Sequence, residues 1–293
     1  MAVEELLDCV AVMVPADAME FYEAALSSVC RAVSFFHDED NDLWDIQGVK
    51  ERGAYEAELS SALAVAEILT GLSPPVTRSL VPVGGWLART KAAFPEQQIG
   101  KCFVVRGTHI QGPETSGRLT LTLDAGLAFG TGEHNSTRGC LVALERIARH
   151  HHPRRILDLG TGSGVLAIAA AKLLHRPVLA TDIDPRAARV AATNARLNQA
   201  GALIRAIKAD GWMDKRIKRA APFDLVFANI LARPLCAMAF DLARNMKPGG
   251  IAILAGLLTV QANWVLSAHR RAGLVLTDRI IDGAWTILIL HKR

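Results

Sequence analysis

Apolar positions along this chain fall into two textures. Behind residue 155, the runs 156–159, 178–181, 203–207, 225–228 and 251–255 are continuously apolar or nearly so, the pattern of short strands buried on both faces. Ala-rich segments with helical spacing separate most of them, so the rear half reads as an α/β domain, doubly wound on a mainly parallel sheet. The front is built differently. Residues 6–14 and 32–36 read as strands with a helix over 16–29 between them. Residues 43–49 read as a third strand, 55–69 as a helix with Leu59, Leu63, Ala66 and Leu69 on one side, and 79–83 as a closing strand. Gly71 stops the second helix, and the tract from His37 to Asp42 is a solvated turn. The strand-helix-strand-strand-helix-strand order predicts a smaller N-terminal ferredoxin-like α+β domain.

Between the two textures, residues 85–118 are rich in Gly, Pro and polar side chains, with one short helix near 86–93 and one strand near 101–105. The expected organisation is a front domain over 1–84, a linker region over 85–118 and a main domain over 119–293, and 293 residues suits two domains. Composition mainly excludes. No apolar stretch reaches the ~18–20 residues that cross a bilayer, and the first residues carry Glu4, Glu5 and Asp8 but no basic leader, so neither membrane nor export is expected. Cys9, Cys30, Cys102, Cys140 and Cys236 are scattered and never form a C-x-x-C pair, which argues against disulfides and against a metal site and for a cytoplasmic setting. Charge is uneven: residues 1–60 hold 14 Asp/Glu against three Lys/Arg, a net of −11, which leaves +15 on residues 61–293. An acidic front module either is a solvated face or favours a basic, lysine-bearing partner over nucleic acid.

The chemistry concentrates in Asp158-Leu-Gly160-Thr-Gly162-Ser-Gly164, which joins an apolar run directly to an Ala-rich helix. Glycines allow close backbone approach and positive φ, and a helix start offers free N–H groups to an anionic ligand group. The spacing G-x-G-x-G, with Val165 where a dinucleotide fingerprint needs its third glycine, disfavours a nicotinamide cofactor. Asp182, 22 residues after Gly160, ends the next apolar run, where a carboxylate accepts both hydroxyls of a ribose. Asp184, just before Pro185, reads as a helix cap, Asp158 as a brace for the turn, and Asp210 either as a turn residue or as a contact to an adenine amine. The run ending at Asn229 delivers an amide to the same sheet edge. Alone it is either a cap or a ligand; beside the glycine turn and Asp182, its carbonyl suits orienting a target amine toward an electrophilic methyl.

These segments together resemble the class I methyltransferases, and more narrowly the ribosomal protein L11 methyltransferase family. The resemblance rests on Leu123-Asp-Ala-Gly-Leu-Ala-Phe-Gly-Thr-Gly-Glu-His-Asn-Ser-Thr137, on Asn229-Ile-Leu-Ala-Arg-Pro-Leu235, on Met246-Lys-Pro-Gly-Gly250 and on the run from Trp285. Thr161 stands where the family often has Cys, and Gly85 where it often has Asp. The resemblance implies a seven-stranded methyltransferase domain that binds S-adenosylmethionine through Thr137, Gly160, Asp182 and Asn229, with Gly162 and Gly164 in the turn. Phe129, Thr131, Gly132 and His134 would line the methionine end. It further implies repeated methylation of the N-terminal α-amine and lysine ε-amines of ribosomal protein L11; Asn229 then suits orienting the acceptor, and as a hypothesis the acidic front domain docks the basic substrate. A methyltransferase acting on another protein, RNA or a small-molecule amine shares the same core; nucleic acid is not expected as the direct methyl acceptor.

Overall fold

The computed structural model describes residues 6–38, 41–82, 96–110, 117–123 and 135–293. The chain divides into two compact units, Met1–Ala93 and Phe94–Arg293.

In the first unit, β1 (Leu6–Val14), α1 (Met19–Ser27), β2 (Ala32–Asp38), β3 (Leu43–Glu51), α2 (Glu56–Thr70) and β4 (Val76–Pro82) follow the expected order. The sheet runs β2-β3-β1-β4 with every neighbouring pair antiparallel, the split β-α-β arrangement that the sequence predicts. Its core is Val10, Val12, Tyr22, Leu26, Ile46 and Leu59. Gly71 ends α2 at φ +70°, as a C-terminal glycine does. One detail departs from the sequence reading: Leu59 and Ala66 are buried, but Leu69 is 61% exposed. Leu69 therefore lies off the buried stripe of α2.

The second unit opens with β5 (Gln97–Ile99), β6 (Phe103–Gly107) and β7 (Leu119–Leu123), a three-stranded sheet in which β6 and β7 are parallel. The segment read as linker thus contributes Ile99, Phe103 and Val105 to the main core. Glu145 explains how so polar a stretch is held: its buried carboxylate accepts hydrogen bonds from the backbone N–H of Lys101 at 2.7 Å and of Cys102 at 3.3 Å. Glu145 lies on α3 (Asn135–Ala148). The short helix expected near 86–93 lies outside the described residues.

The main sheet follows with β8 (Ile156–Leu159), α4 (Val165–Leu174), β9 (Val178–Asp182), α5 (Pro185–Leu197), β10 (Ile204–Lys208), α6 (Lys215–Ala220) and β11 (Phe223–Asn229). Two short helices, α7 (Ala232–Ala237) and α8 (Ala239–Asn245), lead to β12 (Met246–Leu258), α9 (Ala262–Arg271), β13 (Leu274–Asp282) and β14 (Trp285–Lys292). The seven strands lie in the order β10-β9-β8-β11-β12-β14-β13, parallel except for β14, which is antiparallel to both neighbours. Order reverses between β8 and β11, which places a ligand crevice at their carboxyl ends. Cores on both sheet faces explain the continuous apolar runs: Ala167, Ile168 and Ala171 of α4 pack on one side, and Leu235, Leu242 and Val265 of the later helices on the other.

Candidate functional site

The carboxyl ends of β8, β9 and β11 bring the sequence-selected residues to one edge. After β8 the backbone turns through Gly160, Gly162 and Gly164, all at positive φ (+73°, +53° and +85°). Gly160 is the position where only hydrogen fits, because a Cβ there would overlap Ile230 Cγ2. The N–H groups of Gly160 and Thr161 donate to Thr181 O at 2.8 and 2.9 Å, which ties the turn to β9. Beneath it, the buried Asp158 accepts from Thr161 Oγ1 at 2.6 Å and from Ala167 N–H at 3.2 Å through one oxygen. Asp158 is thus the brace that the sequence suggested. Burial pushes its carboxyl up to about 6, and the charge of Asp182 adds to the rise, against the pull of the Thr161 and Ala167 bonds.

Asp182 is half-buried at the end of β9. Its Oδ2 accepts from Gly162 N–H at 2.9 Å and its Oδ1 from Asp184 N–H at 3.0 Å. Each oxygen keeps one lone pair, so the carboxylate is aimed and still has two acceptor positions for a pair of hydroxyls. Asp184 caps α5 by accepting from Arg186 N–H at 2.7 Å, as read from its place before Pro185. Asp210 is exposed after β10 and makes no cap hydrogen bond to the short turn that follows it.

Asn229, half-buried, ends β11 and donates from Nδ2 to Thr137 Oγ1 of α3 at 3.2 Å. The structure therefore joins two of the sequence-predicted site residues, 92 positions apart. With its amide nitrogen donating to Thr137, Asn229 keeps Oδ1 as a hydrogen-bond acceptor. The next residue, Ile230, is the one that Gly160 accommodates, and Gly256 passes so close behind it that a Cβ would lie 2.6 Å from Ile230 O. The glycine turn and Asn229 are thus packed as one unit. Phe129, Thr131, Gly132 and His134 lie outside the described residues. Among the described residues, no His, Cys, Asp or Glu group is arranged to hold a metal ion, and no helix is long and apolar enough to cross a membrane.

Two supporting residues escaped the sequence reading. Asn194, fully buried on α5, donates from Nδ2 to Ser163 O at 2.8 Å, securing the turn from below. Asn198 clasps β7 through Thr122, accepting from its N–H at 2.8 Å and donating to its carbonyl at 2.6 Å. A signal existed for the first: Asn194 interrupts the Ala188, Ala191 and Ala195 stripe on the buried face of α5.

Residues 10–293 match the sequence profile of the family described as ribosomal protein L11 methyltransferase (PrmA). Over 234 residues, 79% of each chain, the sequence is 47% identical to the ribosomal protein L11 methyltransferase of Mesorhizobium japonicum. Over 255 residues, 87% of each chain, it is 42% identical to that of Rhizobium meliloti. Among solved structures, the ribosomal protein L11 methylase of Lactobacillus delbrueckii subsp. bulgaricus superposes with a TM-score of 0.59 at 29% identity, covering 68% of this chain and all of that one. With the seven-stranded sheet, the glycine turn and the Asp182 and Asn229 strand ends all at one edge, the chain belongs to the ribosomal protein L11 methyltransferase family.

Proposed function

We propose that this enzyme methylates amines of ribosomal protein L11, the N-terminal α-amine and lysine ε-amines, in repeated rounds up to trimethylation, and that it does so in the cytoplasm. The family's methyl donor, S-adenosylmethionine, fits the residues present: the side-chain-free ledge at Gly160 to Gly164 and the aimed carboxylate of Asp182 suit an adenosyl group with its ribose. Bound there, the sulfonium supplies an already activated methyl group. The chain then has to bind, orient and dry the acceptor. Asn229 is the observation that carries the reading. Its amide is pinned by Thr137, and its carbonyl accepts a hydrogen bond from a neutral amine, holding the nitrogen lone pair in line for transfer. A lysine near its ordinary pKa of ~10.4 is mostly charged at neutral pH, so a desolvating site assists by favouring the neutral form.

Substrate docking falls in this reading to the front unit. The net charge of −11 over residues 1–60 complements a basic target. Exposed Val65, Ile68 and Leu69 on α2 give that unit an apolar contact face as well. The test is incubation of the full chain with labelled S-adenosylmethionine and purified ribosomal proteins, followed by mass spectrometry. Methyl increments on ribosomal protein L11 amines support the proposal; label on RNA or on another protein refutes it. Deleting residues 1–84 should abolish transfer to the whole substrate while leaving cofactor binding intact, and retained transfer overturns the docking role.

A further inference from the structure

The edge of the sheet opposite the glycine turn carries a second feature. The amino ends of β8, β9, β10 and β11 enclose an open groove of about 450 Å³. Its floor is apolar, with Ile156, Val178, Leu203 and Phe223, and its rim holds Arg154, Arg155, Arg205, Arg216 and Arg219. No acidic side chain lines it. The carboxylates beside it are already engaged, Asp214 by Arg216 at 2.7 Å and Asp224 by Lys247 at 2.6 Å. Arg154, Arg205 and Arg219 are exposed and form no ion pair among the described residues. With Arg216 held by Asp214, the guanidinium groups of Arg154, Arg155, Arg205 and Arg219 leave the rim of the groove positive, a surface that a polyanion complements.

We propose that this groove binds single-stranded RNA through its phosphodiester backbone. The lining supports a backbone reader over a site for a free nucleotide. Every lining side chain is arginine or apolar, so there is no Ser, Thr, Asn, Gln, Asp or Glu to recognise a base edge or a ribose. Arginine binds phosphate bidentately and tolerates sequence variation in the strand it holds. Part of the +15 net charge of residues 61–293 lies on this rim. RNA held here is a docking partner and not a methyl acceptor: β9 is five residues long, which at ~3.3 Å per residue sets its amino end roughly 13–16 Å from Asp182. The consequence for the enzyme, retention beside ribosomal RNA while it acts on a ribosomal protein, rests on the function proposed above; the binding itself does not.

The experiment is fluorescence anisotropy of the full chain with a labelled single-stranded RNA of mixed sequence, across a potassium chloride series. If three to five arginines contact phosphates, log K falls against log salt with a slope of about −2 to −3.5. The triple variant Arg154→Gln, Arg205→Gln, Arg219→Gln should shallow that slope by about 2 and weaken binding at least tenfold at about 100 mM salt. Transfer of methyl to isolated ribosomal protein L11 should be unchanged in the variant, which confirms its fold and keeps this test separate from that of the function. Equal RNA affinity in the two proteins overturns the proposal. So does full displacement of the RNA by micromolar tripolyphosphate or ATP, which assigns the groove to a free nucleotide, and so does tighter binding to anionic lipid vesicles than to RNA.

Discussion

Asp182 offers the sharpest test of the cofactor geometry, because its two oxygens already have fixed partners. Oδ2 takes the Gly162 N–H and Oδ1 the Asp184 N–H, leaving one lone pair on each for a ribose hydroxyl. Asp182→Asn keeps the shape but turns one acceptor into a donor, which then faces a backbone N–H. At least one turn bond and one ribose bond are lost together. Hydrogen bonds to a charged acceptor contribute about 1.5–3 kcal/mol each, and the half-exposed position favours the lower end. Since about 1.4 kcal/mol is tenfold, affinity for S-adenosylhomocysteine should fall by roughly 10- to 100-fold in calorimetric titration. A loss of that size also follows from a disturbed turn alone, so the deciding measurement uses the analogue lacking both ribose hydroxyls. The wild type should discriminate against it by about the same factor, and Asp182→Asn should discriminate far less, since the contact is already gone. Equal discrimination by the two proteins would refute the ribose assignment and leave Asp182 as a brace for Gly162.

Three further substitutions probe the same edge. Gly160→Ala combines about 1–2 kcal/mol of positive-φ strain with overlap on Ile230, so cofactor affinity and turnover should both fall about tenfold or more; Gly71→Ala, at a similar φ with nothing within 4 Å, should cost stability alone. Asn229→Ala should lower kcat for the protein substrate about 100-fold, and Thr137→Val, which leaves the amide unpinned, less so; unchanged kcat in both would remove Asn229 from the reaction. Asp158 titrates near 6 when folded against 3.8 when free, so its contribution to stability is full below pH 3.8 and declines as pH rises through the folded value. That decline amounts to about 3 kcal/mol, and Asp158→Asn should abolish it in urea unfolding measured between about pH 4 and 7.

The parts of the fold that were legible are those whose cause is local. The glycine turn follows its own strand immediately, Asp184 caps the helix that Pro185 begins, and Gly71 ends the helix it follows, so each is written within a few residues. The braces of the site are not. Asn194 reaches Ser163 across 31 positions, Asn198 reaches Thr122 across 76, and Glu145 reaches Lys101 across 44. Glu145 in particular reads as half of an i,i+4 surface pair with Arg149, and that pair exists, but the carboxylate is 5% exposed because the backbone of the supposed linker closes over it. Composition made residues 97–107 look like part of a connector, since they sit inside a Gly-, Pro- and polar-rich stretch that hides Ile99, Phe103 and Val105, which reach the core. Strand β13 was likewise missed, being an edge strand of mostly half-buried residues, with Thr277 and Ile281 exposed and a register shift between Leu276 and Asp278.

Strand direction explains why the two ends of the main sheet carry such different residues. Six parallel strands point their carboxyl ends the same way, so a residue that ends a run, such as Asp182 or Asn229, is delivered to one edge, that of the candidate site, without any long-range design. The same geometry sends every residue that precedes a run to the opposite edge. Arg154 and Arg155 precede β8, Arg219 precedes β11 by way of α6, and Arg205 sits at the start of β10. Five arginines that sequence counting leaves dispersed are thereby brought around one groove. The positions just before and just after the apolar runs therefore divide by chemistry: an acid and an amide after them supply the proposed contacts to the adenosyl group and the amine, and arginines before them line the groove proposed to take a polyanion.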